Sequence, residues 1–155
     1  MTSVLLTRRE STERDGRAVI VIAERDRHVR ELQLYFLNTA GFAVEFADDG
    51  QGALDRLRLD PPALLITEIL IPKIDGLTLC RRVREDPALA DVPVLVFSIL
   101  AAGARASHAG AVAFLRKPLV ESTFLAAING AMMTTANPAS PASPANSANP
   151  AVAAR

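Results

Sequence analysis

The sequence has little cysteine, few aromatic residues and no net charge. Among its 155 residues it has one cysteine, Cys80, no tryptophan and 5% aromatic residues, and its 17 Lys and Arg equal its 17 Asp and Glu. One cysteine cannot form an internal disulfide, so no oxidising compartment is needed and a cytoplasmic location is predicted. The balanced charge gives no reason to expect nucleic acid or a membrane surface as a partner. The apolar runs are of strand length, too short to cross a bilayer.

The distribution of apolar residues divides the chain into three parts. Half of all residues are apolar, which is enough for the core of one domain. Residues 1–17 are rich in charge and poor in apolar residues, so a flexible leader is predicted there. From Thr134 onward the composition narrows to Ala, Pro, Ser and Asn, which predicts a disordered tail over residues 134–155. The folded domain is therefore predicted at residues 18–133.

Short apolar segments alternate with helical patterns through this domain. The strand-like segments are residues 18–23, 42–46, 63–67, 94–97 and 111–115. Helices are predicted after Asp26, after the Asp48-Asp49-Gly50 turn, after Asp75, over residues 101–110 and over residues 121–132. This alternation predicts an α/β domain with a doubly wound, five-stranded parallel sheet and right-handed crossovers.

Two of the predicted helices have unusual compositions. The helix after Asp75 carries Arg81, Arg82 and Arg84, which are interpreted as a solvated face, and Cys80, which is interpreted as a small core residue. Residues 101–110 are rich in alanine and glycine and predict a short, poorly anchored helix.

Polar residues stand just past four of the predicted strands. Glu24 and Arg25 follow the first, Glu68 the third, Ser98 the fourth and Lys117 the fifth. A doubly wound sheet brings these strand ends to one edge, which is where such folds bind ligands. Loops at strand ends are polar in any case, so the spacing alone favours an ordinary surface as much as a functional site.

Longer motifs make the interpretation specific. The segments ALLITEILIPKIDGLTLCRRVRED, PVLVFS and GAVAFLRKP occur in that order. The Ile-Pro-Lys-Ile-Asp-Gly run and the Lys-Pro pair are together diagnostic of one protein family. Over residues 18–133 the chain resembles the receiver domain of bacterial response regulators, in the CheY-like superfamily. The resemblance implies a flavodoxin-like fold with strand order 2-1-3-4-5, and a signalling domain that is not an enzyme.

The resemblance also implies roles for individual residues. In that family an aspartate after the third strand accepts a phosphoryl group from a histidine kinase, and an acidic pair after the first strand helps it hold Mg²⁺. Ser98 and Lys117 match the residues that contact the phosphoryl oxygens, and Phe114 matches the aromatic switch position. Glu24 supplies the first acid of the pair. Two positions depart from the pattern, because Glu68 replaces the acceptor aspartate and Arg25 replaces the second acid.

These departures argue against metal binding and phosphoryl transfer. Mg²⁺ requires oxygen ligands in octahedral geometry, and arginine has only donors and keeps its charge. Unlike charges at 4 Å attract by about 4 kcal/mol at an effective dielectric near 20, so replacing an acid by a cation costs a divalent ion several kcal/mol. Mg²⁺ binding is therefore expected to be lost, and no other cofactor is predicted.

The longer side chain of Glu68 has two alternative consequences. It can carry its carboxylate toward Ser98 and Lys117, where a phosphoryl group would lie, and so imitate the phosphorylated state. Alternatively, Arg25 can pair with Glu68 in a bidentate salt bridge that fills the site. The sequence does not choose between these arrangements, and both predict a domain that does not depend on phosphorylation.

The function expected from these residues is that of a stand-alone, atypical receiver, or pseudo-receiver, that acts by binding another protein. In the family, a partner or a second copy meets the face formed by the fourth helix, the fifth strand and the last helix, so a homodimer through that face is one expectation. Two alternatives remain: a working phosphorelay receiver with a non-standard acceptor, and a small flavodoxin-like cofactor-binding protein. The second lacks a glycine-rich phosphate loop after the first strand.

Overall fold

The computed structural model describes residues 12–136, and these form a sheet flanked by helices. The strands are β1 (Glu13–Arg14), β2 (Arg17–Ala23), β3 (Ala43–Ala47), β4 (Leu64–Thr67), β5 (Val94–Ser98) and β6 (Ala113–Arg116). The helices are α1 (Arg27–Thr39), α2 (Gly50–Leu59), α3 (Gly76–Glu85), α4 (Gly103–Ala109) and α5 (Glu121–Ala136). Strands β2 to β6 alternate with the helices, as the sequence predicted.

The sheet has the predicted topology. Its five parallel strands lie in the order β3-β2-β4-β5-β6, which is the order 2-1-3-4-5 when they are counted along the chain from β2. The prediction of a flavodoxin-like, doubly wound α/β fold is therefore confirmed.

The domain borders differ in detail from those predicted. β1 pairs antiparallel with the start of β2, so the last residues of the predicted leader form a hairpin, and residues 1–11 lie outside the described part. Residues 134–136 continue α5, and residues 137–155 of the predicted tail likewise lie outside the described part.

The two faces of the sheet are covered by different helices. Along β2, Ile20 and Ile22 belong to the apolar cluster that includes Phe124 of α5, whereas Val21 and Ala23 belong to the cluster shared with α2, α3 and α4. All residues of β4 and β5 are buried, as expected for central parallel strands covered on both faces. None of the helices among residues 12–136 is long and apolar enough to cross a membrane.

In α3 the structure confirms Cys80 as a core residue and corrects the interpretation of Arg84. Cys80 is fully buried as a free thiol, and burial raises its pKa to about 11, which agrees with a core residue. Arg84, in contrast, is not on a solvated face. Its guanidinium donates to the carbonyl of Gly110 at 3.1 Å and to the carbonyls of Ala90 and Val92. Burial lowers the pKa of Arg84.

The same arginine corrects the prediction for α4. The helix is short, with seven residues, and no side chain caps its first turn. Its C-terminal end is nevertheless anchored, because Arg84 of α3 binds the carbonyl of Gly110 just beyond it. Ala106 and Ala109 are buried on the same side, so the small residues permit close packing on the neighbouring helix and strand.

The loop between β4 and α3 folds tightly onto its own beginning. The N–H of Gly76 donates to the carbonyl of Ile69 at 2.9 Å, and the side chain of Asp75 caps α3 by accepting from the N–H groups of Leu77 and Thr78, both at 2.9 Å. A Cβ atom on Gly76 would lie 2.1 Å from the carbonyl oxygen of Glu68. Only glycine permits this approach of the two backbone segments.

Two glycine substitutions test this packing. We expect Gly76→Ala to lower the free energy of unfolding by about 2–3 kcal/mol, because the backbone of the loop must move. Gly130 in α5 has no atom within 4 Å of an added Cβ, so Gly130→Ala should raise the free energy of unfolding by about 0.5–1 kcal/mol. Urea unfolding measures both values. Equal effects of the two substitutions would contradict the close approach at Gly76.

Gln33 is an exception to the apolar pattern of the core. It is fully buried in α1, and neither polar atom of its side chain has a hydrogen-bond partner within residues 12–136. Its neighbours on the same helix, Val29, Phe36 and Leu37, belong to the apolar cluster between the sheet and α5. A buried amide without partners lowers stability, since it loses its hydrogen bonds to water.

We therefore expect Gln33→Met, which preserves length and removes the amide, to raise the free energy of unfolding by about 1–2 kcal/mol. Gln51, whose amide donates to Asp55 at 2.9 Å on the outside of α2, provides the control Gln51→Met, which should give no gain. Denaturant unfolding at neutral pH measures both. A loss of stability in Gln33→Met would contradict the absence of partners.

Candidate functional site

Four strand ends bring the predicted site residues together at one edge of the sheet. The register pairs Ala23 with Thr67 and Thr67 with Val96, so the residues after β2 and β4 lie beside the end of β5. The N–H of Glu68 donates to the carbonyl of Ala23 at 3.0 Å, and the N–H of Lys117 donates to the carbonyl of Ser98 at 2.8 Å. Backbone hydrogen bonds thus fix the positions of the residues that carry the functional side chains.

The carboxylate of Glu68 lies at the centre of this edge. The residue is 6% exposed, and its Oε1 accepts a hydrogen bond from the hydroxyl of Ser98. The same oxygen accepts from the N–H of Ile69 at 2.6 Å and from the N–H of Leu70 at 3.2 Å. Its Oε2 lies 2.9 Å from Nζ of Lys117. Both oxygens of this buried carboxylate are therefore engaged.

Lys117 joins the two acids of the site. Its Nζ lies 2.8 Å from Oε2 of Glu24 and 2.9 Å from Oε2 of Glu68, and 5.6 Å from the centre of the Phe97 ring. The other oxygen of Glu24 accepts from the N–H groups of Arg25 and Asp26, both at 3.0 Å. One ammonium thus pairs with two buried carboxylates, whose residues follow two different strands, β2 and β4.

This arrangement shifts the pKa of both partners. Burial by itself raises the pKa of Glu68, but the Ser98 hydroxyl, Lys117 and the N–H of Leu70 outweigh it, and the net pKa lies below the usual value of 4.5. Burial by itself lowers the pKa of Lys117, but Glu24 and Glu68 outweigh it and raise the net pKa. The shifts favour the charged form of both groups.

The remaining predicted positions lie at the margin of this cluster. Arg25 is exposed, and no ion pair joins it to Glu68 in the part of the chain that the structure describes, so the bidentate alternative is not the arrangement seen. Phe114 is half-buried and packs against the apolar cluster of α3 and α4. A Cβ on Gly103 would lie 3.5 Å from its ring, so α4 borders this aromatic side chain.

Sequence reasoning missed Arg30. Its guanidinium donates to the carbonyl of Glu24, to the carbonyl of Ala47 at 2.9 Å and to Oδ1 of Asp48 at 2.8 Å, so it ties the end of β2 to the end of β3. The sequence contains one signal for this contact. Arg30 lies in the first turn of α1, which Asp26 caps, and helical side chains point back toward the N-terminus of their helix.

Sequence reasoning also missed the backbone donors that hold Glu68. The N–H groups of Ile69 and Leu70 face its carboxylate because the chain turns sharply after β4. No sequence pattern marks these donors, since every residue except proline carries one.

The site holds few groups that bind metal ions. Within residues 12–136 there is no cluster of three or more His, Cys, Asp or Glu side chains arranged to hold one. The two acids that converge, Glu24 and Glu68, already share the ammonium of Lys117.

Comparison with known proteins agrees with this fold. The response regulator MprA of Mycobacterium avium (strain 104) is 33% identical over 119 residues, which are 75% of this chain and 51% of that protein. The chain thus spans about half the length of this curated relative. MprA of Mycobacterium tuberculosis (strain ATCC 25618 / H37Rv) is also 33% identical over 119 residues, with the same coverage of both chains.

Solved structures show the same architecture. The CheY-like receiver domain protein of Methanospirillum hungatei JF-1 has a TM-score of 0.71 at 19% identity, covering 77% of this chain and 97% of that one. Chemotaxis response regulator CheY4 of Vibrio cholerae has a TM-score of 0.70 at 22% identity, covering 74% and 98%. At these identities the likeness is one of fold. The sequence model of the response regulator receiver domain matches residues 20–129, and the chain belongs to that family.

Proposed function

We propose that this receiver domain acts without phosphorylation, as a cytoplasmic protein-interaction module in which Glu68 imitates the phosphorylated state. One observation carries the proposal: the Glu68 carboxylate accepts from Ser98 and pairs with Lys117. The family resemblance gives these two residues the role of contacting phosphoryl oxygens. A fixed anion that engages both supports a domain held in one signalling state.

The contacts of Glu68 also oppose its use as an acceptor. A carboxylate attacks phosphorus through a free oxygen lone pair, and the reacting atoms must be aligned. Here Oε1 receives three donors and Oε2 faces an ammonium at 2.9 Å. These interactions stabilise the charge and lower its nucleophilicity, which supports a binding role for Glu68.

The residues present do not fit the Mg²⁺ ion of the family. The ion needs several oxygen ligands in octahedral geometry, and it gives up its bound water molecules reluctantly. Among residues 12–136, the carboxylates that converge here are those of Glu24 and Glu68, and Lys117 lies between them. The guanidinium of Arg25 has no oxygen to offer. The proposed function therefore includes no metal-dependent step.

The proposed partner is another protein. MprA and the other curated relatives are named response regulators, and the match covers about half of MprA. A contact through the face of α4, β6 and α5, including a second copy of this chain, remains a prediction from the family resemblance.

Phosphoryl donors test the proposal directly. We expect the wild-type protein to acquire no phosphate from acetyl phosphate and to show no change in Tm with beryllofluoride and Mg²⁺. The double variant Arg25→Asp/Glu68→Asp restores both missing groups and should gain both responses, because the Ser98 and Lys117 contacts are retained. Mass spectrometry and thermal unfolding measure them. Arg27→Asp/Glu68→Asp places the new acid on an exposed neighbour and is the matched control.

Phosphate on the wild-type protein would contradict the proposal and favour the working phosphorelay alternative. A response in the control variant equal to that of the double variant would show that Arg25 is not the group that excludes the metal.

The charge of Glu68 has a second measurable consequence. A carboxylate whose pKa is lowered by folding stabilises the folded state above its unfolded pKa, and this contribution is lost as the pH falls through the folded value. We therefore expect wild-type protein to lose stability more steeply than Glu68→Gln as the pH falls below about 4.5. Unfolding by urea between neutral and acidic pH measures the difference. Glu85→Gln, on the exposed side of α3, controls for loss of one carboxylate.

Parallel pH curves for wild type and Glu68→Gln would show that the carboxylate is not held as an anion. The imitation of a phosphoryl group would then be wrong even if no phosphorylation occurred.

A further inference from the structure

An open groove of about 500 Å³ lies between α3 and α4, beside the site. Leu70 and Leu100 provide an apolar wall, and Leu70 is 57% exposed although it is a large apolar residue. The rim carries the side chains of Arg81, Arg105 and His108. An apolar wall beside basic groups is typical of a surface that binds an acidic peptide segment.

The basic groups of the groove form no ion pair within residues 12–136, although Arg81 lies close enough to Asp75 to lower the pKa of that carboxyl. The side chains of Arg105 and His108 have no hydrogen bond or ion pair within residues 12–136, and Arg81 donates only to the hydroxyl of Thr78 at 3.2 Å. The one acid that lines the groove is Asp75, and it caps α3 through Leu77 and Thr78. The groove is positive although the chain has a formal net charge of zero.

We propose that this groove binds an acidic segment of a partner protein that also carries apolar side chains. Carboxylates of the segment pair with Arg81 and Arg105, and its apolar side chains cover Leu70 and Leu100. The groove has no aromatic residue in its lining, so it offers no stacking surface for nucleic acid bases. Charge complementarity and the exposed leucine together favour a peptide segment.

The groove is also connected to Glu68, and this connection rests on the proposed function. The N–H of Leu70 donates to Oε1 of Glu68 at 3.2 Å. On the other side, the N–H of Leu100 donates to the hydroxyl of Ser98 at 3.2 Å, and that hydroxyl donates to the same oxygen of Glu68. One carboxylate oxygen therefore positions both leucines of the apolar wall.

Peptide selection tests the chemistry of the occupant. Phage-displayed random peptides of about twelve residues are panned on the full chain and depleted on the variant Arg81→Ser/Arg105→Ser. We expect the retained peptides to be enriched in Asp or Glu together with Leu, Ile or Val. Recovery of no enriched peptide, or of peptides without acidic enrichment, would overturn the inference.

Charge reversal then tests the location. Fluorescence anisotropy of the most enriched peptide should show at least about tenfold weaker binding to Arg81→Glu/Arg105→Glu than to the wild type. Arg82→Glu, on an exposed position of α3 outside the groove, should change the affinity by less than about twofold. Equal losses in the two variants would place the peptide elsewhere. Equally tight, arginine-dependent binding of an oligothymidylate or of anionic vesicles would also overturn the choice of an acidic peptide.

Glu68→Ala separates this inference from the proposed function. If both are correct, Glu68→Ala weakens peptide binding, because Leu70 and Leu100 lose their common anchor. If the peptide binds Glu68→Ala as tightly as the wild type, the groove is confirmed and the control by Glu68 is wrong. If no acidic peptide is selected while phosphoryl donors still fail to label the wild type, the groove is wrong and the proposed function stands.

Discussion

The site depends on one ammonium group placed between two buried carboxylates. Nζ of Lys117 lies within 3 Å of both Glu24 and Glu68, which begin on different strands of the sheet. A single buried carboxylate without a cation would be strongly destabilising, and two would also repel each other. Lys117 therefore allows two ionised carboxylates to be buried together at this edge of the sheet. Its backbone N–H, which donates to the carbonyl of Ser98, fixes its position beside β5.

Lys117 supplies one positive charge for two carboxylates, and hydrogen bonds stabilise the remaining negative charge of this cluster. The N–H groups of Arg25 and Asp26 face Glu24, while those of Ile69 and Leu70 face Glu68 with the Ser98 hydroxyl. Hydrogen bonds to an ionised acceptor are stronger than those between neutral groups. Fixed donors of the chain thus stabilise the carboxylate charge that Lys117 does not balance.

Much of this edge could be predicted from the sequence, because parallel strands of buried apolar residues place the next residue at a known position. That argument places Glu24, Glu68, Ser98 and Lys117 at one edge from the sequence alone. It could not choose between Lys117 and Arg25 as the partner of Glu68, since both are long cations near the same edge. The structure decides between them: the Lys117 side chain is 13% exposed and pairs with Glu68, whereas Arg25 is exposed and forms no ion pair with Glu68. Arg84 was misjudged because composition cannot show that backbone carbonyls surround a guanidinium.

The length of Glu68 unites the two proposals. An acid that ended one bond earlier would leave more space before Ser98 and Lys117. The longer carboxylate of Glu68 reaches donors just after β4, at the end of β5 and just after β6 at once. The same contacts extend to the backbone of Leu70 and Leu100, which line the groove between α3 and α4. Under the proposed function, a charge that folding itself keeps ionised would hold this groove in one shape. Binding would then be controlled by the amount of partner, because the anion that shapes the surface is part of the chain.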